Sequence, residues 1–239
     1  MTMQFGLFGG ARTKRAIGLE DSLGYDSFID YVVEADRLGF RHMFLVEHHF
    51  TGHGQVSASL TLLAYLAAKT RNIRLGTAVV VLPWHNPVLI AEQAATLDLL
   101  TGGRFDFGIG KGYRKAEFDG FCIPIEEATE RFDEAIEIIR KLFTGKEVKH
   151  AGRWYQLEST RLWTLPAALP PIYVATAGPI TAKKTGELCD GIITVGAADE
   201  KIATVFEKFA EGARSAGKDP EKMPKILQLH LSWAESDEV

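Results

Sequence analysis

Cysteine is nearly missing from this chain, with only Cys122 and Cys189 in 239 residues. The two stand far apart and in no paired motif, which argues against a disulfide framework and a thiolate-ligated zinc and fits a reducing compartment. Long apolar runs are also missing: none reaches the roughly 18 residues that would span a bilayer. The amino-terminal MTMQFGLFGG has no basic region leading into an apolar stretch. The expected location is therefore cytoplasmic, away from membranes. Nor is there a surplus of positive charge. The formal net charge is −4, and basic residues gather only at Arg12-Thr13-Lys14-Arg15, so no broad cationic face exists to neutralise a nucleic-acid backbone or an anionic lipid. What is present, 46% hydrophobic and 24% charged residues, suits a globular chain that buries one large core.

Strand-like and helix-like segments alternate from end to end. Short β-branched or aromatic runs fall at Gln4–Phe8, His42–Val46, Ile73–Leu82, Phe105–Ile109, Ile172–Thr176, Gly191–Val195 and Ile226–Trp233. Helical patterns lie between them at about 25–38, 57–70, 87–101, 129–143, 180–188 and 200–216. Pro87 opens the third helix and Gly102-Gly103 close it. The interruption near 147–165, with Gly152 between two alternating runs, predicts an inserted hairpin. Seven β units without a composition break predict a single domain over 1–239.

Apolar strands each followed by a helix imply a parallel sheet, either a closed barrel or an open doubly wound sheet. Two features favour an α/β barrel of the TIM (β/α)8 type. The polar and glycine-rich clusters follow the strands, at Glu47-His48-His49, Pro83-Trp84-His85-Asn86, Gly110-Lys111-Gly112 and Ala177-Gly178-Pro179, as on the rim where barrels build active sites. FGLFGGARTKRA also lacks the dinucleotide-binding spacing after its strand. With seven strands counted, the barrel is expected to lack its carboxy-terminal βα part, leaving strand one with an open edge. The helix at 57–70 is apolar nearly all round, including Leu62 and Leu66. Since a barrel covers only one helix face, this helix together with 87–101 is expected to form a homodimer interface.

The densest chemistry lies in MFLVEHHFTGHG, residues 43–54, where two adjacent histidines follow an acid and His53 comes four residues later. It reads as a metal site, a catalytic base or a polar rim. A catalytic divalent ion needs at least three protein ligands, and the later strand ends VATAG and ITVG offer none, so no metal is expected. Glu47 alternates away from His48, which suits a buried structural role.

LVEHHF, the stretch LGTAVVVLPWHNPVLIAEQAATLDLLTGGRFDFGIGKG, the segment holding Glu117 and Arg131, and PPIYVATAGPITAKKTGE together resemble the bacterial-luciferase-like flavin monooxygenases, in order and over essentially the whole chain. The resemblance implies a TIM-barrel enzyme that takes reduced FMN from a separate flavin reductase and uses O2, through a flavin peroxide, to oxidise a small substrate such as an aldehyde. A deazaflavin-dependent hydride-transfer enzyme and a flavin-binding protein without turnover are the alternatives. It places the catalytic imidazole at His48, whose ordinary pKa near ~6.5 suits proton transfer at neutral pH. Ala78 and Val79 fall where relatives carry a non-prolyl cis peptide beneath the flavin, and Glu117 matches an acidic flavin-site position. Ala177, Gly178 and Thr181 open a helix whose free amides and dipole attract the flavin phosphate. Thr181 and Lys111 match phosphate-contacting positions, with Arg131 a weaker third. Gly110 stands where luciferase has a reactive cysteine, and Ala177-Gly178 where it has acid and serine, so light emission is not implied.

Overall fold

The computed structural model describes residues 3–11, 20–50 and 56–231. The basic cluster at 12–15, His53 and the last residues of the expected seventh strand lie outside the described residues. The chain divides into two units, Met1–Ile172 and Tyr173–Val239.

In the first unit the order is β1 (Gly6–Gly9), α1 (Glu20–Leu38), β2 (His42–Leu45), α2 (Ser59–Lys69), β3 (Arg74–Thr77), β4 (Val80–Val81), α3 (Pro87–Thr101), β5 (Phe105–Gly110), α4 (Lys115–Gly120), α5 (Ala128–Leu142), and the strands β6 (Val148–Ala151) and β7 (Gln156–Thr160). β1, β2, β3 and β5 pair in parallel in that order, and β4 also pairs with β5. Every residue of β5 is buried, as a parallel strand between covered faces requires. β6 and β7 form the antiparallel hairpin expected from Gly152.

Local chemistry explains the boundaries. α3 begins because Asn86 accepts hydrogen bonds from the amides of Val88 and Leu89 at 2.9 and 3.3 Å, with Pro87 at the first helical position. It ends at Gly102, whose φ of 65° suits a residue without Cβ. The turn from α2 into β3 is held by Asp36 of α1, whose carboxylate receives the amides of Arg71, Asn72 and Ile73 at 2.7, 2.9 and 2.7 Å. Arg104 ties the same end together by donating to the carbonyls of Ile73 and Thr101 at 2.7 and 2.9 Å. At the strand starts, Asp106 is fully buried and accepts from Arg74 (2.7 Å) and pairs with His42 Nδ1 (2.9 Å), so its charge is compensated inside the protein.

The helices expected at the interface leave a different apolar surface from the one the sequence suggests. Leu62 and Leu66 are buried within the chain's own interior, because α2 packs on α3 and β3. The large apolar residues that these helices expose are Tyr65, Leu89, Leu99 and Leu100.

The second unit contains β8 (Ile172–Ala175), α6 (Pro179–Leu188), β9 (Gly191–Val195), α7 (Asp199–Ser215) and β10 (Lys225–Gln228). β8, β9 and β10 are parallel. α6 and α7 touch backbone to backbone: a Cβ on Gly186 would lie 2.0 Å from the Phe209 carbonyl oxygen, and one on Gly212 1.9 Å from that of Lys183. Counting β3 with its continuation β4 as one position, seven barrel-type strands occur among the described residues, each of the first six leading to a helix. The fold class is α/β, of the TIM (β/α)8 type. Among the described residues no helix is long and apolar enough to cross a membrane.

Candidate functional site

The end of β2 carries the site. Val46 still donates to the Gly9 carbonyl (3.1 Å), so the chain stays extended beyond Leu45 and successive side chains go to opposite faces. His48 Nδ1 pairs with Glu117 Oε1 at 3.0 Å. Glu117 lies in the first turn of α4, and its side chain is 2% exposed against 19% for His48. The same carboxylate oxygen accepts the main-chain N–H of His49 at 2.9 Å. A carboxylate so placed fixes the orientation of the imidazole through Nδ1, leaving Nε2 as the nitrogen that can exchange a proton with a bound molecule.

Glu47, on the opposite face, is buried and accepts three hydrogen bonds. His85 Nε2 reaches Oε1 at 2.6 Å, His49 Nε2 reaches the same oxygen at 2.9 Å, and the Val81 amide donates to Oε2 at 2.7 Å. Burial would push the Glu47 carboxyl up, but the hydrogen bonds from His49 and His85, the charge of His85 and the Val81 amide together hold it below the usual range. A hydrogen-bonded chain therefore runs from His48 through Glu117, His49 and Glu47 to His85. Trp84 and Phe121 pack edge-on to the His49 ring, with centroids 5.3 and 4.8 Å away. Phe50, mostly exposed and at a φ of 61°, lies beside His49 and Phe121.

The peptide between Ala78 and Val79, separating β3 from β4, is cis. Ala78 donates to the Leu45 carbonyl at 2.7 Å, which sets this bend against the end of β2. Across from it, a Cβ on Gly110 would approach Val79 Cγ2 to 2.6 Å, so β5 needs glycine here. Lys111, next in the chain, has Nζ 3.4 Å from the Thr129 hydroxyl and no carboxylate partner among the described residues. Arg131 is engaged elsewhere: it donates to Glu127 at 2.8 Å and lies over the Trp154 ring, 4.2 Å from its centroid.

In the second unit Gly178 is the residue before α6 and Pro179 its first helical position. Ala182 donates to the Gly178 carbonyl at 3.0 Å, while the Gly178 amide is taken by the Thr176 hydroxyl at 3.0 Å. The amides of Ile180 and Thr181 precede that first intrahelical bond and so have no carbonyl within the helix. With the half-buried Thr181 hydroxyl they make a donor set that fits an anionic group such as a phosphate. Ala177 is exposed at this opening.

Of the residues singled out in the sequence, His48 and Glu117 are thus in contact, Ala78 and Val79 form the cis bend beside Gly110, and Ala177, Gly178 and Thr181 stand together before and within the first turn of α6. Sequence reasoning passed over His85 and gave Glu47 no partners. Their signal was the cluster Pro83-Trp84-His85-Asn86, read only as rim. Among the described residues no group of three or more His, Cys, Asp or Glu side chains could hold a metal ion.

A family model described as luciferase-like monooxygenase matches residues 3–239. The chain is 29% identical to the 4-hydroxyprotoasukamycin monooxygenase of Streptomyces nodosus subsp. asukaensis, over 85% of this chain and 57% of that protein. It is also 29% identical to an F420-dependent glucose-6-phosphate dehydrogenase of Amycolatopsis mediterranei, over 89% of this chain and 67% of that one. Among solved structures, monooxygenase RslO1 from Streptomyces bottropensis matches with a TM-score of 0.84 and 28% identity, covering 95% of this chain and 70% of that chain. The chain thus spans well under two thirds of the first of these relatives.

Proposed function

Because this chain belongs to the luciferase-like monooxygenase family, we propose that it is an oxidoreductase in which His48, backed by Glu117, moves a proton at a cofactor-bound substrate. The observation that carries this reading is the 3.0 Å contact between His48 Nδ1 and a carboxylate 69 residues away that is itself held by the His49 amide. The first choice of cofactor is FMN, reduced by a separate reductase and used with O2 on a small organic substrate such as an aldehyde. Support for a phosphorylated isoalloxazine comes from each unit by itself: in the second, Thr181 and the amides of Ile180 and Thr181 suit a phosphate, and in the first, Lys111 offers an ammonium that has no carboxylate partner among the described residues. Ala78 and Val79, both partly exposed, offer a small apolar surface for a flat ring. Bound in reduced form, such a cofactor supplies two electrons. The chain's own residues bind it, orient the substrate and hold the proton on His48 Nε2.

A second reading, hydride transfer with a deazaflavin, is favoured by the likeness to the Amycolatopsis dehydrogenase. The two are separated by titrating the protein with FMN and with F420, each in both redox states, and by following reoxidation of the bound reduced cofactor in air. Tight binding of FMN with oxygen uptake stimulated by substrate supports the first reading. Preference for F420 without oxygen uptake supports the second, and binding of neither refutes both. The exposed Tyr65, Leu89, Leu99 and Leu100 are the surface we assign to a second copy of the chain in a cytoplasmic homodimer.

A further inference from the structure

Glu47 is buried, and its contacts account for far more than a core carboxylate needs. Its Oε1 faces two imidazole nitrogens, His49 Nε2 and His85 Nε2, while Oε2 takes the Val81 amide. An ionised carboxylate can only accept hydrogen bonds. Both Nε2 atoms therefore carry a proton, and in the neutral rings Nδ1 bears the lone pair. The His49 ring is further wedged between Trp84 and Phe121. With its ring fixed, the His49 main chain is fixed too, and its N–H is what holds Glu117 Oε1 against His48. On the far side, the His85 carbonyl accepts from Tyr155 of the inserted hairpin at 3.4 Å, so the same cluster anchors that insertion.

We infer that Glu47 is a positioning residue for the His48–Glu117 pair: it locks His49 and His85 as Nε2–H tautomers and, through the His49 main chain, sets where Glu117 meets His48. This rests on the reading of that pair as the proton-transfer group.

The test is Glu47→Gln, an isosteric change in which the Val81 amide, unable to give up its proton, takes the one carboxamide oxygen and the side-chain NH2 is left facing the His49 and His85 nitrogens. Full-length protein labelled with 15N-histidine is compared with the variant by long-range proton–nitrogen correlation, on the alkaline side of the histidine range where the rings are neutral. The parent protein should show His49 and His85 as Nε2–H tautomers, and the variant should lose that signature for at least one of them. Consumption of the reduced cofactor should slow by roughly 10- to 100-fold, the usual scale for removing a group that orients a functional ligand, while cofactor affinity stays within about twofold. Parent spectra with either ring as Nδ1–H, or a variant with unchanged tautomers, would overturn the inference. So would changed tautomers with an unchanged rate. Should Glu47→Gln fail to fold, Glu47→Asp, which keeps the charge but shortens its reach, is read by the same spectra and must perturb His49 or His85. A failure of the underlying functional reading shows separately, as an unchanged rate in His48→Ala, and leaves the tautomer measurement standing.

Discussion

Glu117→Gln isolates the central contact of the site. The side chain keeps its shape and one oxygen that can still face both donors, His48 Nδ1 at 3.0 Å and the His49 amide at 2.9 Å, but the charge behind the imidazole disappears. A hydrogen bond to a charged group contributes about 1.5–3 kcal/mol. If that energy is realised when His48 takes up its proton, the loss corresponds to a roughly 10- to 150-fold slower turnover at about 1.4 kcal/mol per decade. The assay is single-turnover consumption of the reduced cofactor across pH, run on Glu117→Gln, His48→Ala and the double variant. Because the two residues act as a unit, the double variant should be no slower than His48→Ala alone. Cofactor affinity should change little. Independent, multiplicative losses in the double variant, or full activity in Glu117→Gln, would refute the assignment of Glu117 as the group behind His48.

Changing Lys111 to Ala and Thr181 to Val should weaken FMN binding severalfold and leave riboflavin, which has no phosphate, nearly unaffected; equal losses in fluorescence titrations would place both residues against the ring. Gly186→Ala or Gly212→Ala must push a Cβ into a main-chain carbonyl on the facing helix, so each should lower stability by roughly 1–3 kcal/mol or more, seen as a depressed Tm. The pair Leu89→Asp and Leu100→Asp should dissociate the proposed dimer in light scattering without lowering Tm, whereas Leu62→Asp, buried in the chain itself, should lower Tm sharply. The Glu47 carboxyl is held below its ordinary value in the folded state, so the stability it confers is complete above the ordinary value of 4.5 and is lost as pH falls through the depressed one. Acid unfolding of Glu47→Gln should accordingly show a shallower pH dependence than that of the parent.

The fold was legible because its signals are local. Pro87 and Gly102 bound α3 where expected, and Gly152 sits between the strands of the hairpin. The run at Ile73–Leu82 reads as one strand because its apolar pattern does not mark the bend at Ala78–Val79 that divides it into β3 and β4; only the family resemblance pointed to those two residues. α4 escaped notice because six residues give too short a window for a helical period. The apolar circumference of α2 does not tell which neighbour covers which face: Leu62 and Leu66 are buried in the chain's own core, while Tyr65 is exposed. Within the site, Ala78, Lys111, Glu117 and Thr181 came from family resemblance. The contact of His48 with Glu117, and of Glu47 with His85, joins residues dozens of positions apart, for which spacing carries no information.

Imidazole–carboxylate pairing is not confined to the site. His42 pairs with Asp106 at the strand starts, and His150 with Glu134 between the hairpin and α5, at 2.9 and 3.0 Å. Any reagent or titration that reads histidines in bulk will therefore record partners of the same chemical kind at places with different duties. The repetition also supplies a built-in control. A perturbation that moves the signals of His42 and His150 along with that of His48 reports on the fold as a whole, while one that moves His48, His49 and His85 alone reports on chemistry at the rim.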